Sequence, residues 1–144
     1  MTEEGPKPVS MEELCAGKKV VLFAVPGAFT PTCSVQHLPG FVTNVGSLKD
    51  KGADVVACIS VNDPFVMAAW GKDRNAGEDV LMLSDGNAEF TSAIGLEMDG
   101  SGFGLGTRSQ RYAMIIDDGV VSTLNVESGP GLEVSSAEAI LEAL

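Results

Sequence analysis

Runs of apolar residues, and the polar breaks between them, divide this chain before any single residue is considered. Val20-Val21-Leu22-Phe23-Ala24-Val25 has no polar interruption and predicts a buried strand. A second continuous run over 54–61 predicts another strand, buried on both faces. Short apolar stretches predict a strand at 80–83 and a helix at 88–94. A helix is expected over 32–48, with Pro39 kinking it or breaking its hydrogen-bond ladder. Local signals set the other boundaries. Ser10-Met11-Glu12-Glu13 reads as a capping box, and Gly17 ends that helix. Asp63-Pro64 is an N-cap followed by proline at the first helical position, and this helix should end near Gly71. Asp118-Gly119 predicts a hairpin between strands at 111–117 and 120–126. Ser135-Ser136-Ala137-Glu138 caps a last helix reaching Leu144, whose stripe of Ala137, Ile140, Leu141 and Leu144 is ordinary packing. The glycine-rich stretch 99–106 predicts an irregular, mobile loop; it lacks the strand-before, helix-after context of a phosphate cradle. Strands alternating with helices, then a hairpin and a helix, predict an α/β sandwich around a mixed sheet.

Composition narrows the class. The 144 residues, 44% hydrophobic, fit one domain (1–144) with a sizeable core. A formal net charge of −11 argues against nucleic acid and anionic membranes as partners, since both are bound through clustered Lys and Arg. No window approaches the roughly 18 apolar residues of a membrane span. The acidic start, Met1-Thr2-Glu3-Glu4-Gly5, lacks the features of a signal peptide, so a cytoplasmic location is expected. The three cysteines, Cys15, Cys33 and Cys58, are too few and too odd for a disulfide framework and fit a reducing compartment.

Candidate chemistry concentrates at Cys33. It opens a helix immediately after a buried strand, where unpaired N–H groups and the helix dipole favour an anion. An ordinary thiol, with a pKa of about 8.5, is only a few percent thiolate at neutral pH, and a cation or helix start raises that fraction. The bland reading is an inert buried thiol. His37, four residues on, can share a helix face with Cys33; a single histidine without a ligand cluster reads as a structural, hydrogen-bonding residue rather than a metal ligand. Cys15 reads as a packing residue without a catalytic role. Arg111, without other information, is an ordinary strand arginine.

Pro26-Gly27-Ala28-Phe29-Thr30-Pro31-Thr32-Cys33-Ser34 resembles the active-site loop of peroxiredoxins, Pro-x-x-x-Thr-x-x-Cys. Gln36-His37-Leu38-Pro39-Gly40-Phe41, Ser60-Val61-Asn62-Asp63-Pro64-Phe65-Val66, Trp70-Gly71, Arg111-Tyr112-Ala113-Met114 and Leu124-Asn125-Val126-Glu127 continue the likeness, which is to the peroxiredoxin 5 or type II subgroup. The order of elements resembles the thioredoxin fold. The resemblance implies that Cys33 attacks the peroxide O–O bond and becomes a sulfenic acid. It implies that Thr30 holds the thiolate and the incoming oxygen, that Pro26 shields the site, and that Arg111 is the site's arginine, with Arg108 and Gly27 in support.

It also implies hydrogen peroxide and small organic hydroperoxides as substrates, glutathione, glutaredoxin or thioredoxin as reductant, a homodimer, and no metal or organic cofactor. Two departures stand out. Val134, in Gly131-Leu132-Glu133-Val134-Ser135, occupies the place of the resolving cysteine of animal members. Cys58, 25 positions after Cys33, has the spacing of the second cysteine of plant type II members. It is therefore a candidate resolving residue, against the commoner reading of a small core hydrophobe. The family's N-terminal strand or hairpin ahead of Pro8 is expected to be absent or shortened. A disulfide oxidoreductase of the same fold would want Cys-x-x-Cys, and Thr30 stands where its first cysteine would be. A redox-sensing or chaperone-like binding protein is the non-enzymatic rival.

Overall fold

The first apolar run becomes the spine of the sheet. In a computed structural model describing residues 1–144, β1 (Lys19–Ala24) lies between β2 (Val55–Ser60) and β6 (Tyr112–Asp117), and the order across the sheet is β3-β2-β1-β6-β7. β3 is Leu81–Ser84 and β7 is Val120–Val126. β1, β2 and β3 run parallel, whereas β6 is antiparallel to both β1 and β7.

A central strand covered on both faces needs no polar alternation. Val21, Phe23 and Val25 accordingly join one core with Cys33, Phe41, Cys58 and Trp70, while Val20, Leu22 and Ala24 join the other with Leu14, Cys15 and Tyr112. The first core lies under α2 (Leu38–Asp50), α3 (Pro64–Asp73) and α5 (Ala137–Ala143); the second lies under α1 (Met11–Cys15) and α4 (Glu89–Ala93). The architecture is a thioredoxin-like mixed sheet between helices. No helix is long and apolar enough to cross a membrane.

The helix caps are as the sequence predicts. The side chains of Ser10, Asp63 and Ser136 accept hydrogen bonds from the backbone N–H groups of Glu13, Val66 and Ala139. Asp118 and Gly119 have φ of 48° and 84°, both left-handed, as a tight two-residue hairpin turn requires.

Two regions differ from expectation. The helix around Pro39 runs on, its i→i−4 ladder interrupted by a widened turn rather than by a stop. Its first turn widens into a π turn over Cys33–His37, closed by Leu38 N–H on the Cys33 carbonyl. A proline ring clashes with the carbonyl four residues back. Widening the turn just before Pro39 relieves that clash and inserts one extra residue, a device frequent at functional sites. The stretch 99–106 is a loop, but it closes a small hairpin that was not expected. β4 (Glu97–Asp99) and β5 (Thr107–Ser109) pair antiparallel around a 3-10 turn, Ser101–Phe103. Strands of three residues are too short to show an apolar period, so this small hairpin left no pattern to read.

Candidate active site

The site forms where the parallel strands β1 and β2 end, the usual place for chemistry on such a sheet. The chain leaves β1 through Pro26–Thr30 and enters the helix at Pro31. Asn62, just past β2, pins this loop: its Oδ1 accepts from Ala28 N–H at 3.0 Å and from the Ser60 hydroxyl at 2.7 Å. Gly27 is there for want of room. A Cβ would sit 3.1 Å from Thr30 Cγ2 and 3.2 Å from an Arg108 guanidinium nitrogen. Phe29 takes a positive φ of 65°, strained for a bulky residue.

Cys33 is completely buried. Arg111, immediately before β6, is only 8% exposed and spans two acceptors with one planar fork. One terminal nitrogen donates to Cys33 Sγ at 3.1 Å and the other meets His37 Nδ1 at 3.0 Å. Its setting is therefore unlike that of an ordinary exposed strand arginine. His37 Nε2 lies 2.9 Å from the Ser135 carbonyl. A carbonyl only accepts, so Nε2 carries the proton and Nδ1 offers the lone pair to Arg111. The buried ring packs tilted against Phe23 and Phe41, at centroid distances of 5.0 and 5.6 Å. Burial, reinforced by the Arg111 charge, pushes the His37 pKa down to about 3 against the opposing pull of the Ser135 bond and Glu127. The ring is neutral over the whole physiological range.

The remaining sequence-derived residues divide. Thr30, on the loop that leads to Cys33, makes no hydrogen bond to the sulfur. Its hydroxyl donates to the Gly27 carbonyl at 2.7 Å and its own carbonyl accepts from Ser34 N–H at 2.9 Å. Pro26 is half-buried, and its carbonyl accepts a long 3.5 Å bond from Arg108, whose Nε donates to Leu105 O at 2.8 Å. Cys58 shares the core of Cys33 and is equally buried. Burial first, and then the neighbouring Cys33, pushes its thiol up, with Arg111 pulling the other way. Cys15 lies in the core on the opposite face of the sheet.

Sequence reasoning missed Asn62, Ser135 and Glu127. The strand-end rule points to the first of these. The other two act through backbone groups far along the chain, which no spacing advertises.

A thiol at a helix start, gripped by a buried arginine at the strand ends of a thioredoxin-like sheet, defines a cysteine-based redox protein. Residues 1–141 match the redoxin family model. Peroxiredoxin-2E of Arabidopsis thaliana is 58% identical over 140 residues, covering 96% of this chain and 60% of the relative. A crystal structure of reduced Prx3 from Vibrio vulnificus in complex with hydrogen peroxide is 63% identical, with a TM-score of 0.95 over 99% of this chain and 89% of that one. Peroxiredoxin 5 from Alvinella pompejana is 38% identical with a TM-score of 0.83, covering 92% of this chain and 82% of that one. The chain belongs to the redoxin family, among the peroxiredoxins. It spans about three fifths of the length of the Arabidopsis relative.

The expectation of a cytoplasmic location is overturned by these relatives, for the Arabidopsis protein and its rice counterpart are both chloroplastic. That expectation rested on the acidic opening residues. Addressing segments lie outside a folded domain, so the charge of a domain's first residues carries no address.

Proposed function

We infer that this chain is a thiol peroxidase in which Cys33 is the nucleophile. The observation that carries the reading is the guanidinium of Arg111 seated 3.1 Å from a buried Sγ, since a charge-assisted bond of this kind favours an anionic sulfur. The Cys33 thiolate attacks one peroxide oxygen. An S–O bond forms, the O–O bond breaks, sulfur loses two electrons, and the leaving oxygen takes a proton to depart as water or alcohol. Charge develops on both oxygens, and fixed donors lower that barrier. Arg111 supplies N–H groups at the sulfur. The Thr30 hydroxyl, its proton committed to Gly27, presents its oxygen to accept the O–H of the incoming peroxide. Pro26 limits water at the mouth, and Gly27 leaves room for Arg108 to brace the loop. Hydrogen peroxide and small hydroperoxides are the substrates.

The sulfenic acid of Cys33 is then reduced by an external thiol such as glutathione, glutaredoxin or thioredoxin. Two thiols give one disulfide, Cys33 regains its thiol, and water leaves. Cys58 is read as a core residue, because a thiol held neutral by burial is a poor nucleophile. Phe29, Val35 and Phe65 are exposed on the segments that carry the site and fit a second copy of the chain, giving a homodimer; sedimentation at micromolar concentration should show twice the chain mass.

Intact mass after one equivalent of hydrogen peroxide tests the chemistry in wild type and Cys58→Ala. Addition of oxygen to Cys33 in both is expected. A loss of two hydrogens in wild type that disappears in Cys58→Ala would instead make Cys58 the resolving residue. No change at Cys33 in either protein would refute the peroxidase reading.

A further inference from the structure

Behind Cys33 and Arg111 lies a chain of contacts that ends on an acidic residue with no part in the chemistry described so far. Glu127 follows β7, and a single carboxylate oxygen, Oε2, accepts four hydrogen bonds. They come from the backbone N–H groups of Glu133, Val134 and Ser135, at 2.9, 2.8 and 2.8 Å, and from the Ser135 hydroxyl at 2.6 Å. The segment 128–135 is thereby folded into a closed turn around one anion. Burial opposes the charge, but the Ser135 hydroxyl and the three N–H groups outweigh it and hold Glu127 below the usual carboxylate range. Its backbone N–H also donates to the Arg111 carbonyl at 2.9 Å. Glu127 therefore touches both the arginine's own backbone and the turn that faces the arginine's histidine partner.

The product of that turn is the position of one carbonyl. Ser135 O meets His37 Nε2 at 2.9 Å, and Nδ1 of the same ring meets Arg111 at 3.0 Å. The opposite tautomer would set N–H against N–H at Arg111 and lone pair against lone pair at Ser135. A protonated ring would set a donor against the guanidinium. Only the Nε2–H form satisfies both ends, and only while the Ser135 carbonyl stays in place.

Resting on the peroxidase reading, we propose that Glu127 is a positioning residue for peroxide reduction. By locking the 128–135 turn it fixes the His37 tautomer, which seats the Arg111 fork so that its second nitrogen lies on Cys33 Sγ. Val134, in the place of a cysteine that resolves the sulfenic acid in other peroxiredoxins, is part of this lock through its backbone N–H. The turn here serves the resting thiol.

His37 is the only histidine, so its imidazole nitrogens can be followed by nitrogen NMR in the full chain without ambiguity. The expected wild-type spectrum is that of a fixed Nε2–H tautomer. Glu127→Ala should let the tautomers mix and lower the rate constant for oxidation of Cys33 by hydrogen peroxide about 10-fold. In an Arg111→Ala background the same substitution should lower it no further, because Glu127 acts through Arg111; a general loss of structure would act in both backgrounds. Glu127→Gln keeps an acceptor oxygen in place and should restore most of the rate. If Glu127→Ala does not fold, Ser135→Ala removes only the hydroxyl bond and takes its place in the same cycle. An unchanged rate constant, an unchanged tautomer, or equal losses with and without Arg111 overturns the proposal. A wild-type protein inert to peroxide would refute the peroxidase reading instead, and the NMR signal would still report whether Glu127 orients His37.

Discussion

Cys33 and Cys58 are two thiols in one core, both fully buried, yet their surroundings differ in kind. Cys58 sits mid-strand on β2, paired across the sheet with Phe23 and Met82. Its sulfur takes part in no hydrogen bond, and burial pushes its proton affinity up. Cys33 sits at a helix start with a guanidinium on its sulfur. Burial by itself therefore does not fix the surroundings of a thiol. In a low-dielectric site a fixed cation counts for more than it would in water, so the same burial that silences Cys58 strengthens the hold of Arg111 on Cys33.

The broadest way to break this contrast is to remove each sulfur in turn. Cys33→Ser should lower hydrogen peroxide consumption by more than about a thousand-fold, since a serine hydroxyl is not activated by a cation alone. Cys58→Ala should leave it within about twofold. A peroxide-coupled assay with saturating thiol reductant reads both, and comparable losses in the two variants would end the contrast.

Arg111 is what separates the two thiols, so its removal should come next in size. Arg111→Ala is expected to lower the rate constant for peroxide about 100-fold, the usual order for one preorganised donor at a developing charge. Arg111→Lys keeps the charge but cannot fork between Sγ and His37 Nδ1. About a 10-fold loss is expected, with a His37 tautomer no longer fixed. Stopped-flow quenching of Trp70 fluorescence offers a direct reading, because Trp70 Nε1 donates to Ser34, the neighbour of Cys33, at 3.0 Å.

The sequence made the architecture and the candidate site readable for the same reason: both are written in local pattern. Residues 20–25, and 55–59 within the second run, had to be strands because nothing polar interrupts them. Asp118-Gly119 had to be a turn because few residues accept left-handed φ. Cys33 stood out because a strand, a proline-rich loop and a helix start converge on it. What remained hidden is non-local. The π turn is one of several ways a helix can accommodate Pro39, and the pattern of residues does not choose among them. Likewise Glu127, Ser135 and His37 meet across 98 positions between His37 and Ser135, with a backbone carbonyl as the contact. Thr30 was assigned to the sulfur by resemblance; its hydroxyl donates to the Gly27 carbonyl.

Acid sharpens the comparison further, because His37 backs Cys33 whereas no histidine backs Cys58. The His37 pKa is about 3 in the folded protein and about 6.5 when unfolded. Between those values the unfolded chain binds the proton and the folded chain does not, so stability is complete above pH 6.5 and falls as pH drops toward 3. The slope is about 1.4 kcal/mol per pH unit from this one residue. Glu127, held below its usual range, adds loss in the same direction at lower pH. Urea unfolding from pH 7 to 4 should show the slope, and His37→Gln should remove most of it above pH 5. A wild type with flat stability from pH 7 to 5 would mean that His37 takes up its proton within the fold.

The smallest expected effect concerns Cys58 as a packing residue. Cys58→Ala removes one buried sulfur from a well-packed strand and should cost about 1–2 kcal/mol, read as a lower urea midpoint with an unchanged slope. Cys58→Ser is the more telling substitution. It keeps the volume but places a hydroxyl where no side-chain partner meets the sulfur, at a cost of about 1–3 kcal/mol. A serine less stable than alanine is the signature of an apolar site. A serine as stable as wild type would mean that a polar partner reaches this position, and Cys58 would then lose the isolation that sets it apart from Cys33.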